Sequence, residues 1–364
     1  MKPFKTLTVI ALLCAVLSSY FSPVHLRDLV IIEGVGIDVS DGALNIGVQL
    51  LNTNSVDASK STSQDNSTVI LEQTGNDVAA CLSQLQTLLS KDMYFGHNKL
   101  LIISREAAES ALAENLPFLI ESVNSRADIA ICISQCSASD ILKSPENNSR
   151  VPCENIVRLI KNNEKDGGCV YVTAAQALDL FCDETSDLLL PVLGYSEDDR
   201  VVYCYGIALF DGGRLRKIVR AQDADGLLMM LGRVKKFTLQ LYTEEAGKVS
   251  AELTSFRAEP TVKLTDSGAE YSLDISFKAD ILSAENVAPA AMSSEETEVI
   301  KRRIEEYAES ECLRMFRACQ QAGCDCLGAG RMLALVSSAE YETARGEWND
   351  YFRNMSVSIN ADAE

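Results

Sequence analysis

The chain has 364 residues, of which 47% are hydrophobic and 23% are charged, and these are ordinary values for a folded globular protein. Acidic side chains outnumber basic ones by 52 to 33, so the formal net charge is -19. Because such a surface repels phosphate backbones and anionic lipid headgroups, we expect no nucleic-acid partner, and any membrane attachment has to come from apolar insertion.

Residues 1–22 are predicted to be an export signal or a membrane anchor. Lys2 and Lys5 precede an uncharged apolar run from Thr6 to Phe21, which is the pattern of a secretory signal. At about 16 residues the run is slightly short for a full span of about 20. The lysines before it predict that the N-terminus stays on the cytoplasmic side of the membrane and that the rest of the chain lies on the outer side. Cleavage stays open, an uncleaved anchor is preferred, and a buried core helix is the alternative.

Twelve cysteines are spread along the chain without regular spacing. Two tight pairs occur, Cys132 with Cys136 and Cys324 with Cys326, and neither lies near a histidine in the sequence. Zinc sites need four ligands, often as two close pairs. We therefore expect no metal site, and buried free thiols are the preferred interpretation.

The part after the apolar run begins with a predicted β-hairpin. Apolar runs at 29–38 and 44–50 flank an Asp-Gly turn, which is a strong hairpin signal. Residues 52–67 are rich in Ser, Asn and Asp and predict a polar loop. A helix is then predicted from Thr74, which caps it, with Asp77 in the first turn and an apolar face that follows.

Buried strands and helices alternate in the next stretch of the chain. The predicted strands are 100–103, 128–134 and 188–193, and the predicted helices are 106–113, 117–123, 138–142, a stretch near Val157 and 174–180. Helices between apolar strands are typical of an α/β layer. A composition shift at 196–199 follows, and it suggests a domain boundary.

The region after this shift is predicted to be richer in strands. A second hairpin is predicted from 201–210 and 214–219 around an Asp-Gly-Gly turn. Further predicted elements are a short apolar helix at 226–232 and strands at 236–242, 248–257, 261–264, 271–277 and 355–359. The alternation of apolar and polar residues in 271–277 is typical of a half-buried strand.

The clearest helix of the chain is predicted at 294–321. Ser293 with Glu296 fits a capping box, and Gly323 ends the helix. Its length of about 40 Å can be buried only by lying across a sheet or a partner. We therefore expect an α+β fold of several domains, in which helices pack on mixed sheets and this long helix lies across a β-sheet. The expected domains are 23–195, possibly as two subdomains, and 196–364.

Five short motifs are distributed over nearly the whole chain after the apolar run. They are Leu26–Leu29 leading to Gly36–Asp38, Tyr94–His97, Tyr205–Phe210, Asp325–Gly330, and Trp348 with Phe352 before a last strand. Each motif is weak alone. In this order and spacing they make the chain resemble the Ger(x)C family, the C subunits of bacterial spore germinant receptors.

The resemblance implies a lipoprotein of three α+β domains on the outer face of the spore inner membrane. It also implies partners: integral membrane A/B-type receptor subunits, one of them with a transporter-like fold. No enzymatic activity is associated with the family, and we expect no cofactor in this chain. Its members carry a lipid-modified cysteine just after the apolar run, and the aligned position here is Tyr20. We therefore expect no lipidation, and the apolar run itself has to anchor the chain.

The sequence offers no convincing catalytic set, so we expect no enzyme. His97 is the one plausible general base because His25 abuts the predicted anchor. A structural hydrogen bond is the preferred role for His97, since no Gly-x-Ser-x-Gly elbow or phosphate loop appears. Asp183, Glu184 and Asp187 form an acidic cluster for which a solvated loop is preferred over a cation site. The alternative function is an extracytoplasmic hydrolase or a solute-binding domain.

Two places are candidate partner contacts. The first is the loop with Tyr94, Phe95 and His97, and the second is the turn with Gly328 and Gly330. The glycines in both places are equally explained by a backbone that requires positive φ.

Overall fold

A computed structural model describes residues 26–40, 42–51, 68–110, 126–144, 152–266 and 268–364. The predicted anchor at 1–22, Tyr20, the polar loop at 52–67 and the helix predicted at 117–123 lie outside these residues. Among the residues described, no helix combines the length and the apolar character that crossing a bilayer requires.

The first sheet contains nine of the described strands. They are β1 (Leu29–Ser40), β2 (Ala43–Leu51), β3 (Thr68–Gly75), β4 (Asp92–Tyr94), β5 (Leu100–Ser104), β6 (Ala130–Ser134), β7 (Leu189–Ser196), β8 (Val201–Asp211) and β9 (Arg214–Arg220). Their order is β3-β2-β1-β5-β6-β7-β8-β9, and β4 pairs with the start of β1. The central strands β1, β5, β6 and β7 are parallel, whereas the hairpins at both ends are antiparallel. Hairpins join antiparallel strands, and helical connections join parallel ones. The two predicted hairpins on either side of an α/β layer therefore lead to a mixed sheet.

Helices cover both faces of the first sheet. They are α1 (Val78–Thr87), α2 (Arg105–Ser110), α3 (Ala138–Lys143), α4 (Pro152–Asp166) and α5 (Ala174–Cys182). In β5, Leu101 and Ile103 join a core with α1, α2 and α5, while Leu100 and Ile102 join a smaller core with α3 and α4. Because both faces are buried, the strand reads as a continuous apolar run instead of an alternating one.

The second sheet has four strands, β10 (Lys236–Thr243), β11 (Gly247–Thr265), β12 (Gly268–Ala284) and β13 (Ser356–Ala363), in that order. Strand β13 pairs in parallel with β12, and a parallel neighbour needs a long crossover. That crossover consists of the helices α7 (Ser294–Ala322), α8 (Ala329–Val336), α9 (Ser338–Ala344) and α10 (Trp348–Asn354). A short helix, α6 (Asp225–Met230), precedes β10.

Helix α7 packs on the second sheet, as the sequence predicts. Ser293 and Glu296 form the capping box, and Gly323 ends the helix in the left-handed conformation with φ 68°. The ring of Phe316 lies 4.8 Å from that of Tyr271 in β12, measured between centroids. The buried face of α7 consists of Ile300, Ile304, Ala308, Cys312, Met315, Phe316 and Cys319. The expected α+β class with mixed sheets and one long C-terminal helix is therefore confirmed.

The two halves of the chain are closely joined in space. Strands β8 and β9 follow the predicted boundary at residue 196, yet β7 pairs along its whole length with β8 in the first sheet. The larger core also runs without a break from β1 through Phe210 in β8 to Ile304 in α7.

Three sequence-based element predictions need correction. Residues 68–75 form β3, so the helix predicted from Thr74 begins only at Val78, with Asp77 as its cap. The strands predicted at 248–257 and 261–264 are one strand, β11, with a bulge that places Ser255 at φ 59°. The helices α8, α9 and α10 were not predicted at all.

Candidate partner-contact surfaces

The loop with Tyr94, Phe95 and His97 lies beside the start of the described chain. Strand β4 ends at Tyr94, which is in register with Ile31 of β1, and a 3-10 turn over Phe95–His97 follows. The loop is therefore held next to the segment that connects the sheet to the predicted anchor.

Tyr94 presents its ring at the surface of this loop. The side chain is 42% exposed, and its ring covers Gly96, where an added Cβ would lie 2.4 Å from the ring carbon Cζ. Gly96 thus lies directly under the ring, and its φ is not in the positive region. Phe95 is partly buried against the larger core.

His97 serves as the partner of a buried carboxylate. Its Nδ1 lies 3.3 Å from Oε1 of Glu33, and the side chains of His97 and Glu33 are 55% and 4% exposed. Burial raises the pKa of Glu33, against the lowering by His97 and Lys99. Within the described chain no Ser, Thr or Cys side chain hydrogen-bonds to His97. The arrangement satisfies a buried acid and does not assemble a nucleophile with a base.

The turn before α8 contains a fully buried carboxylate. Asp325 accepts hydrogen bonds from the backbone N–H of Ala329 and of Gly330, both at 2.8 Å, and from Nε1 of Trp348 at 2.9 Å. Its own N–H donates to Oδ2 of Asp187 at 2.6 Å, and the N–H of Asp187 donates to its carbonyl at 3.0 Å. We call Asp187, Asp325, Gly330 and Trp348 the Asp325 node. It ties the loop before β7 to the crossover helices.

The two glycines of the turn serve this node. Gly328 has φ 71°, a conformation that favours glycine, and it is partly exposed. Gly330 is buried, and a Cβ there would lie 2.7 Å from the carbonyl of Thr185 and 2.8 Å from Nε1 of Trp348. The expected partner contact at Gly330 does not fit this burial, because its surface is already occupied inside the chain.

The acidic cluster is used within the chain. Asp183 lies 3.6 Å from Nε of Arg331, and Glu184 forms an ion pair with Arg345. Asp187 belongs to the Asp325 node. The sequence interpretation of the cluster as a solvated loop missed these contacts, since their partners lie more than 130 residues further along the chain. No group of three or more possible metal ligands was found among the described residues.

The end of α8 carries exposed apolar side chains that were not predicted from the sequence. Leu335 and Val336 are adjacent and are 81% and 82% exposed. They follow Leu333, which is buried. The composition of α8 could have indicated this exposure, because the helix has more aliphatic residues than one buried face can accommodate.

The cysteines of the described chain are all free, and most are buried. Cys14, in the predicted anchor, lies outside that part. Burial raises the pKa of Cys312 to about 12, so this thiol stays protonated and behaves as a small apolar group.

Comparison with known protein families gives matches over nearly the whole chain. The family described as "Spore germination protein N-terminal domain" matches residues 22–195. The family described as "Spore germination B3/ GerAC like, C-terminal" matches residues 205–364. The two matches follow each other in the order of the two halves.

Two individual proteins are similar along their full lengths. The spore germination protein YfkR of Bacillus subtilis (strain 168) is 18% identical over 365 aligned residues, which cover 96% of this chain and 92% of that protein. The crystal structure of the GerBC protein superposes with a TM-score of 0.61 at 11% identity, and covers 91% of this chain and 96% of that one. At this identity the superposition shows a shared fold.

Proposed function

The chain belongs to the GerAC-like family of spore germinant receptor C subunits, and from this premise we propose that it acts without catalysis, as a membrane-anchored subunit that germination requires. The observation that carries the proposal is the pair of family matches, in order, over both halves of the chain. Its partners are the integral membrane A/B-type subunits, one of them transporter-like, and its place is the outer face of the spore inner membrane. Spores that lack this chain and its close paralogues should lose their nutrient response, and a normal response in them would refute the proposal.

The membrane anchor of this proposal is the apolar run before residue 22. The chain is strongly acidic, so its net charge repels anionic lipid and does not serve as the anchor. Deletion of residues 1–24 should give a folded, soluble protein that no longer fractionates with membranes. Continued membrane association of the purified fragment in plain buffer would count against the anchor.

The partner contact of this proposal includes the loop with Tyr94, Phe95 and His97. Its support is the exposed Tyr94 ring beside the strand that leads to the predicted anchor. A pull-down from spore membranes should recover a transporter-like subunit with the normal chain and less of it with Tyr94→Ser. Tyr203→Ser is the matched control, because Tyr203 is also 42% exposed and also covers a glycine, Gly194. Equal recovery with both variants would remove the loop from the contact.

Leu335 and Val336 are a second candidate contact. Both are almost fully exposed, so replacing them with Ser removes an apolar patch at little cost to folding. The same pull-down should recover less of the partner subunits with the double variant. Unchanged recovery would assign the patch no role in assembly.

Replacement of His97 separates this proposal from the hydrolase alternative. We expect His97→Ala to lower the free energy of unfolding by about 1 kcal/mol, because it leaves the buried Glu33 without its half-exposed partner. Urea unfolding measures this loss. A folded His97→Ala chain that loses a measurable hydrolase activity of the normal chain would favour the alternative instead.

A further inference from the structure

A groove of about 350 Å³ lies between the end of α7 and α10. It is lined by Arg317, Gln320, Gln321 and Arg353. The first three are spaced i, i+3 and i+4 and therefore share one face of α7. Arg353 comes from α10. We call these four residues the arginine groove.

The guanidinium of Arg353 lies against the end of α7, beside Gly323. A Cβ at position 323 would lie 2.5 Å from Nη2 and 2.9 Å from Nε of Arg353. Gln320 braces the same junction, since its Nε2 donates to the carbonyls of Phe352 and Met355, both at 2.9 Å. One wall of the arginine groove is therefore built by packing and hydrogen bonds.

Among the described residues, no carboxylate forms an ion pair with an arginine of the arginine groove. Within the residues described, neither Arg317 nor Arg353 makes an ion pair or a hydrogen bond. Neighbouring arginines differ: Arg314, one turn earlier in α7, pairs with Glu311, and Arg345 pairs with Glu184. In a chain of net charge -19, two unpaired guanidiniums in one concavity are an unusual concentration of positive charge.

The end of α7 accounts for only part of this arrangement. The carbonyl end of a helix attracts a cation with roughly 0.3–1 kcal/mol at an exposed position, which favours Arg353 beside Gly323. It does not account for Arg317, which lies five residues before the last residue of α7, Ala322. A guanidinium has five N–H donors, and in the described part of the chain no acceptor bonds to those of Arg317 or Arg353.

We propose that the arginine groove binds a small oxyanion that carries a phosphate or a carboxylate group. The planar fork of a guanidinium matches both groups with two parallel hydrogen bonds. All four lining side chains end in a polar or charged group, and this suits a small charged ligand better than an apolar one, whose sites are mostly lined by hydrophobic side chains. The inference goes beyond the proposed function and does not depend on it.

Calorimetric titration of the full chain at low salt tests the proposal, with inorganic phosphate and citrate as separate probes. We expect at least one probe to bind, and we expect Arg317→Gln and Arg353→Gln each to weaken that binding by about tenfold or more. Arg302→Gln is the matched control, because Arg302 is exposed on the same helix outside the groove. It should bind like the normal chain, and added NaCl should weaken binding in both.

A thermal unfolding curve of each variant separates lost binding from lost folding. Arg317 is exposed, so its variant keeps the test valid even if Arg353→Gln destabilises the end of α7. Failure of both probes to bind, or equal binding by Arg317→Gln, would overturn the proposal.

Vesicles identify the source of the anion. Phosphatidylcholine vesicles with and without phosphatidylglycerol are compared for the normal chain and for Arg317→Gln. A gain from phosphatidylglycerol that Arg317→Gln loses and free phosphate competes away supports a lipid headgroup. Phosphate or citrate binding without such a gain supports a free anion. Absence of both kinds of binding refutes the proposal.

Discussion

At position 330 the chain leaves no room for a side chain. The carbonyl of Thr185 and the indole of Trp348 would both lie within 2.9 Å of a Cβ. We expect Gly330→Ala to lower the free energy of unfolding by about 1–3 kcal/mol, since overpacking a buried contact forces its neighbours apart. Gly346→Ala is the control, because nothing lies within 4 Å of a Cβ there. Urea unfolding measures both, and equal stability of the two variants would contradict the Asp325 node.

The Asp325 carboxyl predicts a dependence of stability on pH. Burial raises its pKa from 3.8 to about 7, against the lowering by hydrogen bonds from Gly330, Ala329 and Trp348. The folded chain therefore holds this proton more tightly than the unfolded chain does. The resulting stabilisation is fully present below about pH 4 and is lost as the pH rises to about 7.

Replacement by Asn removes this titration. Between about pH 5 and about pH 7.5, the normal chain should lose at least about 1 kcal/mol more unfolding free energy than Asp325→Asn loses. Burial also raises the pKa of Asp187, to about 6, but that group remains in both chains. The exposed Asp362→Asn serves as the control and should keep the normal slope. A slope that Asp325→Asn leaves unchanged would show that Asp325 does not titrate in this range.

Single residues of the candidate surfaces were partly predictable. The sequence indicated Tyr94, Phe95 and His97, because Tyr94–His97 is one of the motifs that carry the family resemblance. It did not show that Glu33 lies under His97, 64 residues earlier, or that Gly330 is buried under Trp348. Such pairings arise from tertiary packing, and no local pattern carries them.

At the scale of elements, helix α7 shows how far local signals reach. The side chain of Ser293 accepts a hydrogen bond from the N–H of Glu296 at 3.2 Å, and the carboxylate of Glu296 accepts one from the N–H of Ser293 at 2.7 Å. We expect Ser293→Ala to cost about 1 kcal/mol of unfolding free energy, because it leaves N–H groups of the first turn unsatisfied. Ser294→Ala, one residue inside the helix and exposed, should cost less. Thermal or urea unfolding compares them, and a larger cost for Ser294→Ala would contradict the cap.

Elements with their own start and stop signals were predicted well, and elements defined by neighbours were not. α7 carries both a capping box and a final glycine, so its bounds were predicted to within a residue. β3 has an edge position and only partly buried side chains, and its pairing with β2 across residues 52–67 decides its structure. α8 to α10 are short helices that fill the crossover to β13, and short helices depend on packing more than on propensity.

At the scale of the whole molecule, the chain is organised by a shared core. The fold class followed from the predicted mixture of hairpins, buried strands and one long helix. The sequence did not predict that the two halves share a sheet. The composition shift at 196–199 lies at the turn between β7 and β8, which pair with each other. A polar turn in a hairpin and a linker between domains have similar compositions.

The continuous core predicts that the two halves unfold together. Trp348 is the only tryptophan, and it is buried in the Asp325 node on the crossover. Its fluorescence therefore reports on the second half, while circular dichroism reports on both. In the chain without residues 1–24, we expect the two signals to give coincident urea transitions, as a single cooperative unit requires.

A substitution of a buried residue in the first sheet tests whether the two halves unfold together. Ile133 in β6 is fully buried, and Ile133→Ala should lower the unfolding free energy by about 2–5 kcal/mol through lost burial and a cavity. Because the core is continuous, the Trp348 transition should shift to lower urea together with the circular dichroism transition. Val69→Ala, at a partly exposed position of β3, should shift both much less. If Ile133→Ala moved only part of the dichroism signal and left the Trp348 transition in place, the halves would unfold as separate domains despite the sheet and core that they share.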